Sequence, residues 1–407
     1  MSILNEKRIL LAVTGSIACY KAADLASKLA QAGAEVDVIL TDSAQQFITP
    51  LTFQSVTGRP AYTDADLWGS RGHVTHVGLG NQADLLVIAP ATANTLAKLA
   101  HGLADNLLSV TALAARCPLL IAPAMDGGMY EHPANQANVE TLRSRGAFIA
   151  GPAAGHLASG QTGVGRMLEP QQLIGHIRLA LAQDGPLAGR NVLVTAGGTQ
   201  EPVDPVRFIS NRSSGKQGFA LAQAALDLGA EVTLISGPTS LDTPVGAQRF
   251  DVQTAAEMES VVLEHATAAD ILIMAAAVAD FRPASRAAEK IKKEQGPPTI
   301  ELEQTTDILS AVARQRVNSG RPRVTIGFAA ESQDLLDNAR RKLDSKGLDL
   351  IAANDISAAD AGFEVDTNRV VLLDSRGSRQ SLPLLDKQAV AEVILQRAAD
   401  LLAEKSQ

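Results

Sequence analysis

Two stretches of this chain combine glycine, hydroxyl and cationic residues in the order that phosphate chemistry uses. In Asn191-Val-Leu-Val-Thr-Ala-Gly-Gly-Thr-Gln-Glu-Pro-Val-Asp-Pro-Val-Arg-Phe-Ile-Ser-Asn-Arg-Ser-Ser-Gly-Lys-Gln-Gly218, a β-branched run enters a glycine pair, and a glycine-serine loop then opens a helix at about Gly218. Glycine lets backbone N–H groups approach an anion, and the positive end of a helix favours a phosphate there. Between the loops, Pro202, Pro205 and Arg207-Phe-Ile-Ser-Asn211 stiffen an insertion that a plain dinucleotide site does not need. It reads as a second-substrate loop beside a nucleotide, with the planar donor fork of Arg207 suited to a phosphate. The other stretch, Arg8-Ile-Leu-Leu-Ala-Val-Thr-Gly-Ser-Ile-Ala18, is a buried strand running into one glycine turn, where Gly15, Ser16 and Ile17 would hold a phosphate at the start of a helix from Tyr20 to Ala32.

The elements that must position these loops follow a doubly wound plan that begins twice. Gly33-Ala-Glu-Val-Asp-Val-Ile-Leu40 follows the first helix and Gly229-Ala-Glu-Val-Thr-Leu-Ile-Ser236 its counterpart. Ala83-Asp-Leu-Leu-Val-Ile-Ala-Pro90 and Ala269-Asp-Ile-Leu-Ile-Met-Ala-Ala276 are again alike, each an apolar strand of a parallel sheet. A helix from about Gln171 to Gln183 closes the first half, and Asp184-Gly-Pro-Leu-Ala-Gly189 supplies turn residues, giving domains 1–184 and 190–407. The expected fold is α/β, with two Rossmann-like parallel-sheet domains, the first flavodoxin-like.

Composition narrows the function. A chain of 407 residues at roughly 150 residues per domain has room for two or three, and two is our working number. Lys and Arg number 36 against 44 Asp and Glu, a net charge of −8 that leaves no basic stripe for nucleic acid. Two cysteines, Cys19 and Cys117, are too few for a disulfide framework, no apolar run reaches the ~18 residues of a membrane span, and the N-terminus lacks a signal-peptide core. A cytoplasmic protein with small-molecule partners is expected. The second strand ends Leu40-Thr41 without an acidic ribose ligand, so a mononucleotide suits the first half better than a nicotinamide dinucleotide.

Three further segments of the first half fall where strands end: Ala89-Pro-Ala-Thr-Ala-Asn94, Pro123-Ala-Met-Asp-Gly-Gly-Met129 and Gly155-His-Leu-Ala-Ser-Gly-Gln-Thr-Gly-Val-Gly-Arg166. Together they resemble the flavin-dependent cysteine decarboxylase family. The resemblance implies FMN held by Gly15, Ser16, Ile17, Thr41, Thr92 and Asn94, with the Ser109 backbone near the phosphate or isoalloxazine. It makes His76 the family histidine, with His73 as its rival, and puts Met125 and Arg166 at the substrate, Met125 as packing only. Two positions depart from the family pattern: Asp126 stands for asparagine, and Ser159 for the cysteine that protonates the enethiolate left by decarboxylation. A charged Asp126 repels a substrate carboxylate unless burial raises its pKa or it accepts from a substrate amide, and a serine hydroxyl is a poor proton donor. We expect decarboxylation to persist, with solvent or flavin completing the protonation; the alternative is an active ligase carrying a non-decarboxylating flavin-binding or assembly module.

The second half resembles the phosphopantothenate–cysteine ligase family in Ser210-Asn-Arg-Ser-Ser-Gly-Lys216, Ala275-Ala-Ala-Val-Ala-Asp280, Glu289-Lys-Ile-Lys-Lys293, Gly327-Phe-Ala-Ala-Glu331 and Ala352-Ala-Asn-Asp355. Fused to a flavin half, these motifs resemble the bifunctional decarboxylase/ligase family of bacterial coenzyme A synthesis. That implies CTP activating a carboxylate as an acyl-cytidylate, with Mg2+, before cysteine attacks. Lys290 matches the mobile-loop lysine and Asn211 the residue steadying the acyl-cytidylate. Nucleotide contacts fall to Ala276, Asp280, Thr306, Asp307, Ile308, Leu309, Phe328, Lys342 and Lys346. Composition and spacing alone leave ATP open, and no metal ligands are named. Homo-oligomers are implied, trimeric through flavin halves and dimeric through ligase halves.

Overall fold

The computed structural model describes residues 2–68, 74–292, 299–331, 334–355 and 367–405. His73, Lys293 and the end of the Phe281 to Pro298 loop lie outside them. Two compact units result, Met1–Gln183 and Asp184–Gln407.

The first unit is built on β1 (Arg8–Val13), β2 (Glu35–Leu40), β3 (Ala61–Tyr62), β4 (Leu85–Ala91), β5 (Leu119–Pro123) and β6 (Phe148–Ile149), all parallel in the order β3-β2-β1-β4-β5-β6. Leaving out the two-residue edge strand β3, the order is that of flavodoxin. Side chains alternate across a strand, so both faces of this sheet are apolar. Ile9, Leu11 and Val13 pack with Leu25, Leu29, Leu173 and Ile177 on one side, whereas Leu10 and Ala12 join Leu86, Ile88, Leu96 and Leu107 on the other. The helix expected from Tyr20 spans Cys19–Gln31, and Gly33 follows it at φ +89°. The closing helix is Pro170–Leu181, with Pro170 in its first turn and a capping box between Glu169 and Gln172. An antiparallel hairpin of β7 (Ala153–His156) and β8 (Thr162–Arg166) stands apart from the sheet.

The second unit contains β9 (Asn191–Ala196), a ribbon of β10 (Gln200–Pro202) and β11 (Phe208–Ser210), then β12 (Glu231–Ser236), β13 (Ala247–Asp251) and β14 (Ile271–Met274). There follow a ribbon of β15 (Phe281–Pro283) and β16 (Leu302–Gln304), then β17 (Val324–Glu331), β18 (Leu350–Asp355), β19 (Thr367–Asn368), β20 (Val370–Asp374) and β21 (Arg379–Ser381). Its main sheet runs β13-β12-β9-β14-β17-β18-β20-β21. The first six strands are parallel, and β20 and β21 add an antiparallel edge beyond the expected plan. The helix expected at about Gly218 already begins at Lys216, after Gly215 at φ +79°.

Candidate active sites

Strand order reverses between β1 and β4 in the first unit, which opens a crevice at their carboxyl ends. Buried Thr14 joins its walls: the hydroxyl donates to the Pro90 carbonyl at 2.7 Å and accepts from the Thr92 amide at 3.0 Å. Gly15 lies against the next loop so closely that a Cβ there would be 2.5 Å from that of Ser43. Ser16 accepts weakly from the Ala18 amide at 3.4 Å, Ile17 is exposed, and Thr41 accepts from Ala44 at 3.3 Å. Thr92 caps the helix Ala93–His101 through the Thr95 amide, leaving Asn94 exposed on its first turn. Gly15, Ser16, Ile17, Thr41, Thr92 and Asn94 thus gather at one edge. Ser109 stands in the cap of Leu107–Ala114, where its amide and its hydroxyl both donate to Asn106 Oδ1 at 2.8 Å.

His76 is half-buried in the helix Thr75–Gln82, and its Nδ1 is buried without a hydrogen-bond partner among the described residues. Over the Pro123 to Met129 segment lies the hairpin, joined by the Met125 amide donating to the Gly165 carbonyl at 3.0 Å. Only glycine fits at 165, since a Cβ would come within 2.3 Å of the Met125 carbonyl oxygen. The two departures from the family pattern meet here. Ser159, at the hairpin tip, donates to Asp126 Oδ2 at 2.6 Å, while Asp126 Oδ1 accepts from the Gly128 amide at 3.0 Å. Ser159 and then Gly128 hold the Asp126 carboxyl below its ordinary range, so burial does not neutralise it. Arg166 is tied to Glu169 at 2.7 Å, and the same carboxylate takes buried Lys21 at 2.9 Å. Sequence reasoning missed Lys21, whose signal was a lysine on the helix face that Ala22 and Leu25 bury.

In the second unit the reversal lies between β9 and β14, and a cleft of about 1190 Å³ opens there. Asn211, Ala276, Asp280, Thr306, Asp307, Ile308, Leu309, Phe328, Lys342 and Lys346 all line it. Among the described residues, six cationic side chains, Arg212, Lys216, Arg341, Lys342, Lys346 and Lys387, face two acidic ones, Asp280 and Asp307. Backbone after β14 is held by hydroxyls and amides of the glycine loop: Thr195 accepts from Ala276 at 3.1 Å, Thr199 accepts from Ala279 at 2.9 Å, and Asn211 Nδ2 donates to the Val278 carbonyl at 3.0 Å. Gly218 lets the next helix lie on β9, because a Cβ there would meet that of Ala196 at 2.4 Å. Lys342 donates to the Phe328 carbonyl at 2.9 Å, and Lys346 pairs with Asp307, which caps Ile308–Ser319. Burial alone would raise the Asp307 carboxyl, but Lys346 and the Ser310 amide hold it low.

Arg207 and Lys290 are not among the lining residues. The Arg207 guanidinium donates to buried Asp204 at 2.9 Å and to the Ile291 carbonyl at 3.2 Å, and Asp204 accepts from the Ile291 amide at 3.2 Å. Arg207 therefore anchors the segment beside Lys290 through Nη1, and Lys290 itself is exposed. Arg341, Asn368 and Lys387 escaped the sequence reading, and Asp204, Gln217 and Asn354 stood inside its segments without a role, since their place depends on strands far apart in the chain. Among the described residues no group of three His, Cys, Asp or Glu is placed to hold a metal ion, and no helix is long and apolar enough to cross a membrane.

Two doubly wound sheets with loops gathered at their switch points, one of them around a cation-rich cleft, define a two-unit nucleotide-binding enzyme. Residues 2–181 match the family model described as Flavoprotein, and residues 187–402 that described as DNA/pantothenate metabolism flavoprotein C-terminal domain. The coenzyme A biosynthesis bifunctional protein CoaBC of Bacillus subtilis (strain 168) is 46% identical over 402 residues, covering 98% of each chain. Its namesake in Vibrio cholerae serotype O1 is 47% identical over 397 residues, covering 97% of this chain and 98% of the relative. A crystal structure of the C-terminal domain of a CoaBC protein, 38% identical, covers 54% of this chain and 99% of that one, with a TM-score of 0.46. The chain belongs to the family of bifunctional coenzyme A biosynthesis proteins, flavoproteins that pair a ligase with a decarboxylase. A ligase with an idle flavin module is not favoured, because both relatives match across both halves.

Proposed function

We propose that the second unit, from about residue 190, activates the carboxylate of 4′-phosphopantothenate with CTP. Pyrophosphate leaves as the acyl-cytidylate forms, and the cysteine amine then displaces cytidine monophosphate. The observation that carries this reading is the six-to-two excess of cations in the cleft, which suits a ligand set of triphosphate, phosphate and carboxylate. In it, Lys342 and Lys346 face the nucleotide with Phe328, Ala276 and Asp280, and the Asp307-capped helix start, Thr306 to Leu309, borders it. Asn211 steadies the Ala277–Val278 backbone against which the activated acyl group rests. Lys290 comes to the phosphates from its anchored segment. Magnesium enters as the Mg–CTP complex, a substrate held by phosphate oxygens. The choice of CTP over ATP rests on the family resemblance.

The first unit, up to about residue 184, then removes the carboxylate that cysteine brought, giving 4′-phosphopantetheine. Its crevice fits FMN: Gly15 admits close backbone approach, Asn94 is exposed on a first turn, and the buried His76 Nδ1 lacks a hydrogen-bond partner among the described residues. When bound, FMN supplies the two-electron chemistry that eases decarboxylation. The chain's own residues orient the substrate: Met125 packs, Arg166 on its Glu169 tether faces the substrate, and Ser159 with Asp126 closes the hairpin over it. Because the Ser159 hydroxyl is a poor acid and its hydrogen bond is directed to the Asp126 carboxylate, solvent or flavin completes the final protonation. We place the enzyme in the cytoplasm as a homo-oligomer, with trimeric flavin and dimeric ligase contacts.

The test of the ligase reading is pyrophosphate release from Mg–CTP with 4′-phosphopantothenate and no cysteine. Release should depend on the carboxylate substrate and fall on the order of a hundredfold in Lys290→Ala. No release from the unaltered enzyme would sink the reading.

A further inference from the structure

Ligation brings three molecules to one cleft, and the assignments above account for two. Four lining residues meet at one side of it: Gln217 in the first turn of Lys216–Asp227, Asn354 at the end of β18, Asn368 in β19, and Lys387, the first residue of the helix Lys387–Glu404. They form a directed chain. Gln217 Nε2 donates to the Lys387 carbonyl at 3.2 Å, Asn368 Nδ2 donates to Gln217 Oε1 at 2.9 Å, and Asn354 Nδ2 reaches Asn368 Oδ1 at 3.4 Å. A backbone carbonyl can only accept, so it fixes which way round every amide in the chain must point. The free end is therefore an acceptor. Asn354 Oδ1 is buried with no hydrogen-bond partner among the described residues, while Asn368 and Lys387 are themselves buried at 4% and 8% exposure.

An unsatisfied buried carbonyl is costly, and what relieves it is a donor. Pyrophosphate or a phosphate ester would bring acceptor oxygens against it. An amino acid instead offers amine hydrogens for the carbonyl and a carboxylate for the ammonium of Lys387. We propose that Asn354, oriented by Asn368 and Gln217, and Lys387 form the subsite for the amino-acid co-substrate, the amine at Asn354 Oδ1 and the carboxylate toward Lys387. This rests on the ligase reading and adds where its amine donor binds.

The full-length enzyme tests it with Asn354→Ala and Lys387→Gln. Pyrophosphate release without cysteine reports folding and the first half-reaction; the dependence of ligation on cysteine concentration reports the subsite. Both variants should raise the KM for cysteine about tenfold or more, and in Asn354→Ala pyrophosphate release should keep its rate. Cysteamine, which lacks the carboxylate, should be a poor amine for the unaltered enzyme, and Lys387→Gln should erase most of the preference for cysteine. An unchanged cysteine KM in both variants overturns the proposal. So does a parallel fall of pyrophosphate release and ligation, which would make this a phosphate subsite. Absence of pyrophosphate release from the unaltered enzyme would instead count against the ligase reading itself.

Discussion

At the first switch point the Thr14 hydroxyl, at the end of β1, accepts from the amide of Thr92 at 3.0 Å; at the second, the Thr195 hydroxyl in β9 accepts from the amide of Ala276 at 3.1 Å. At the opposite end of the same strands, Asp84 accepts from the Arg8 amide at 2.8 Å and Asp270 from the Asn191 amide at 3.0 Å. The two units are thus stapled alike at top and bottom. They differ in the path the chain takes beyond the stapled strand. From Thr14 the chain turns through Gly15 and is helical by Cys19, whereas after Ala196 it makes the β10–β11 ribbon, reaches out through Asp204 and Arg207 to Ile291, and only then enters its helix at Lys216. One frame takes two forms: a short turn leads straight into a helix beside the crevice, and a long insertion precedes the helix that borders the cation-rich cleft.

That comparison can be broken at its tightest contact. Gly218→Val should cost the second unit most of its stability, because the added atoms meet Ala196 and the Thr195 carbonyl where neither can withdraw; overpacking commonly costs about 1–3 kcal/mol, and backbone contact adds to it. Calorimetry should show the upper or lower transition of one unit lost while flavin absorbance survives, and an unaltered melt would refute the close packing. Asp204→Ala comes next. It frees Arg207 and the Ile291 amide, so ligation should fall on the order of a hundredfold through misplacement of Lys290, while decarboxylation of supplied phosphopantothenoylcysteine stays at its normal rate. Equal losses in both assays would mean the insertion does not belong to the ligase alone.

The staples give a smaller and finer comparison. Thr14→Val removes a hydroxyl that donates to a backbone carbonyl and accepts an amide, and Thr195→Val one that accepts an amide but donates only to the Met274 sulfur at 3.7 Å, a weak acceptor, so chemical denaturation should show a loss of about 2 kcal/mol for the first and about 1 kcal/mol for the second. The reverse ranking would end the parallel. Smallest is the hairpin clasp. The carboxyl of Asp126 is depressed in the folded protein, so its contribution is present above the ordinary carboxylate pKa and is lost as pH falls through the lowered value. Proteolytic cleavage at the hairpin tip should rise across that acid window, and in Asp126→Asn it should be independent of pH there.

Much of this was legible in the sequence because the doubly wound plan writes itself locally. Apolar strands, a glycine after each helix, and the paired Ala-Asp openings of Ala83 and Ala269 each fix an element whose neighbours follow from short right-handed connections. The residues gathered by motifs at strand ends, such as Thr92 and Asp307, needed only a register. What stayed hidden depends on long-range pairing. No local signal couples Asp126 to Ser159, Arg207 to Asp204 and Ile291, or Gln217 to Asn368 across 151 residues.

Decarboxylation by a first unit whose charged Asp126 is clasped by Ser159 is open to direct measurement. Mass spectrometry of the products formed from 4′-phosphopantothenate, cysteine and Mg–CTP by the flavin-loaded full-length enzyme tests it most directly. The account predicts 4′-phosphopantetheine with loss of carbon dioxide. Accumulation of phosphopantothenoylcysteine would contradict it, leaving a working ligase beside a flavin unit without its decarboxylase role.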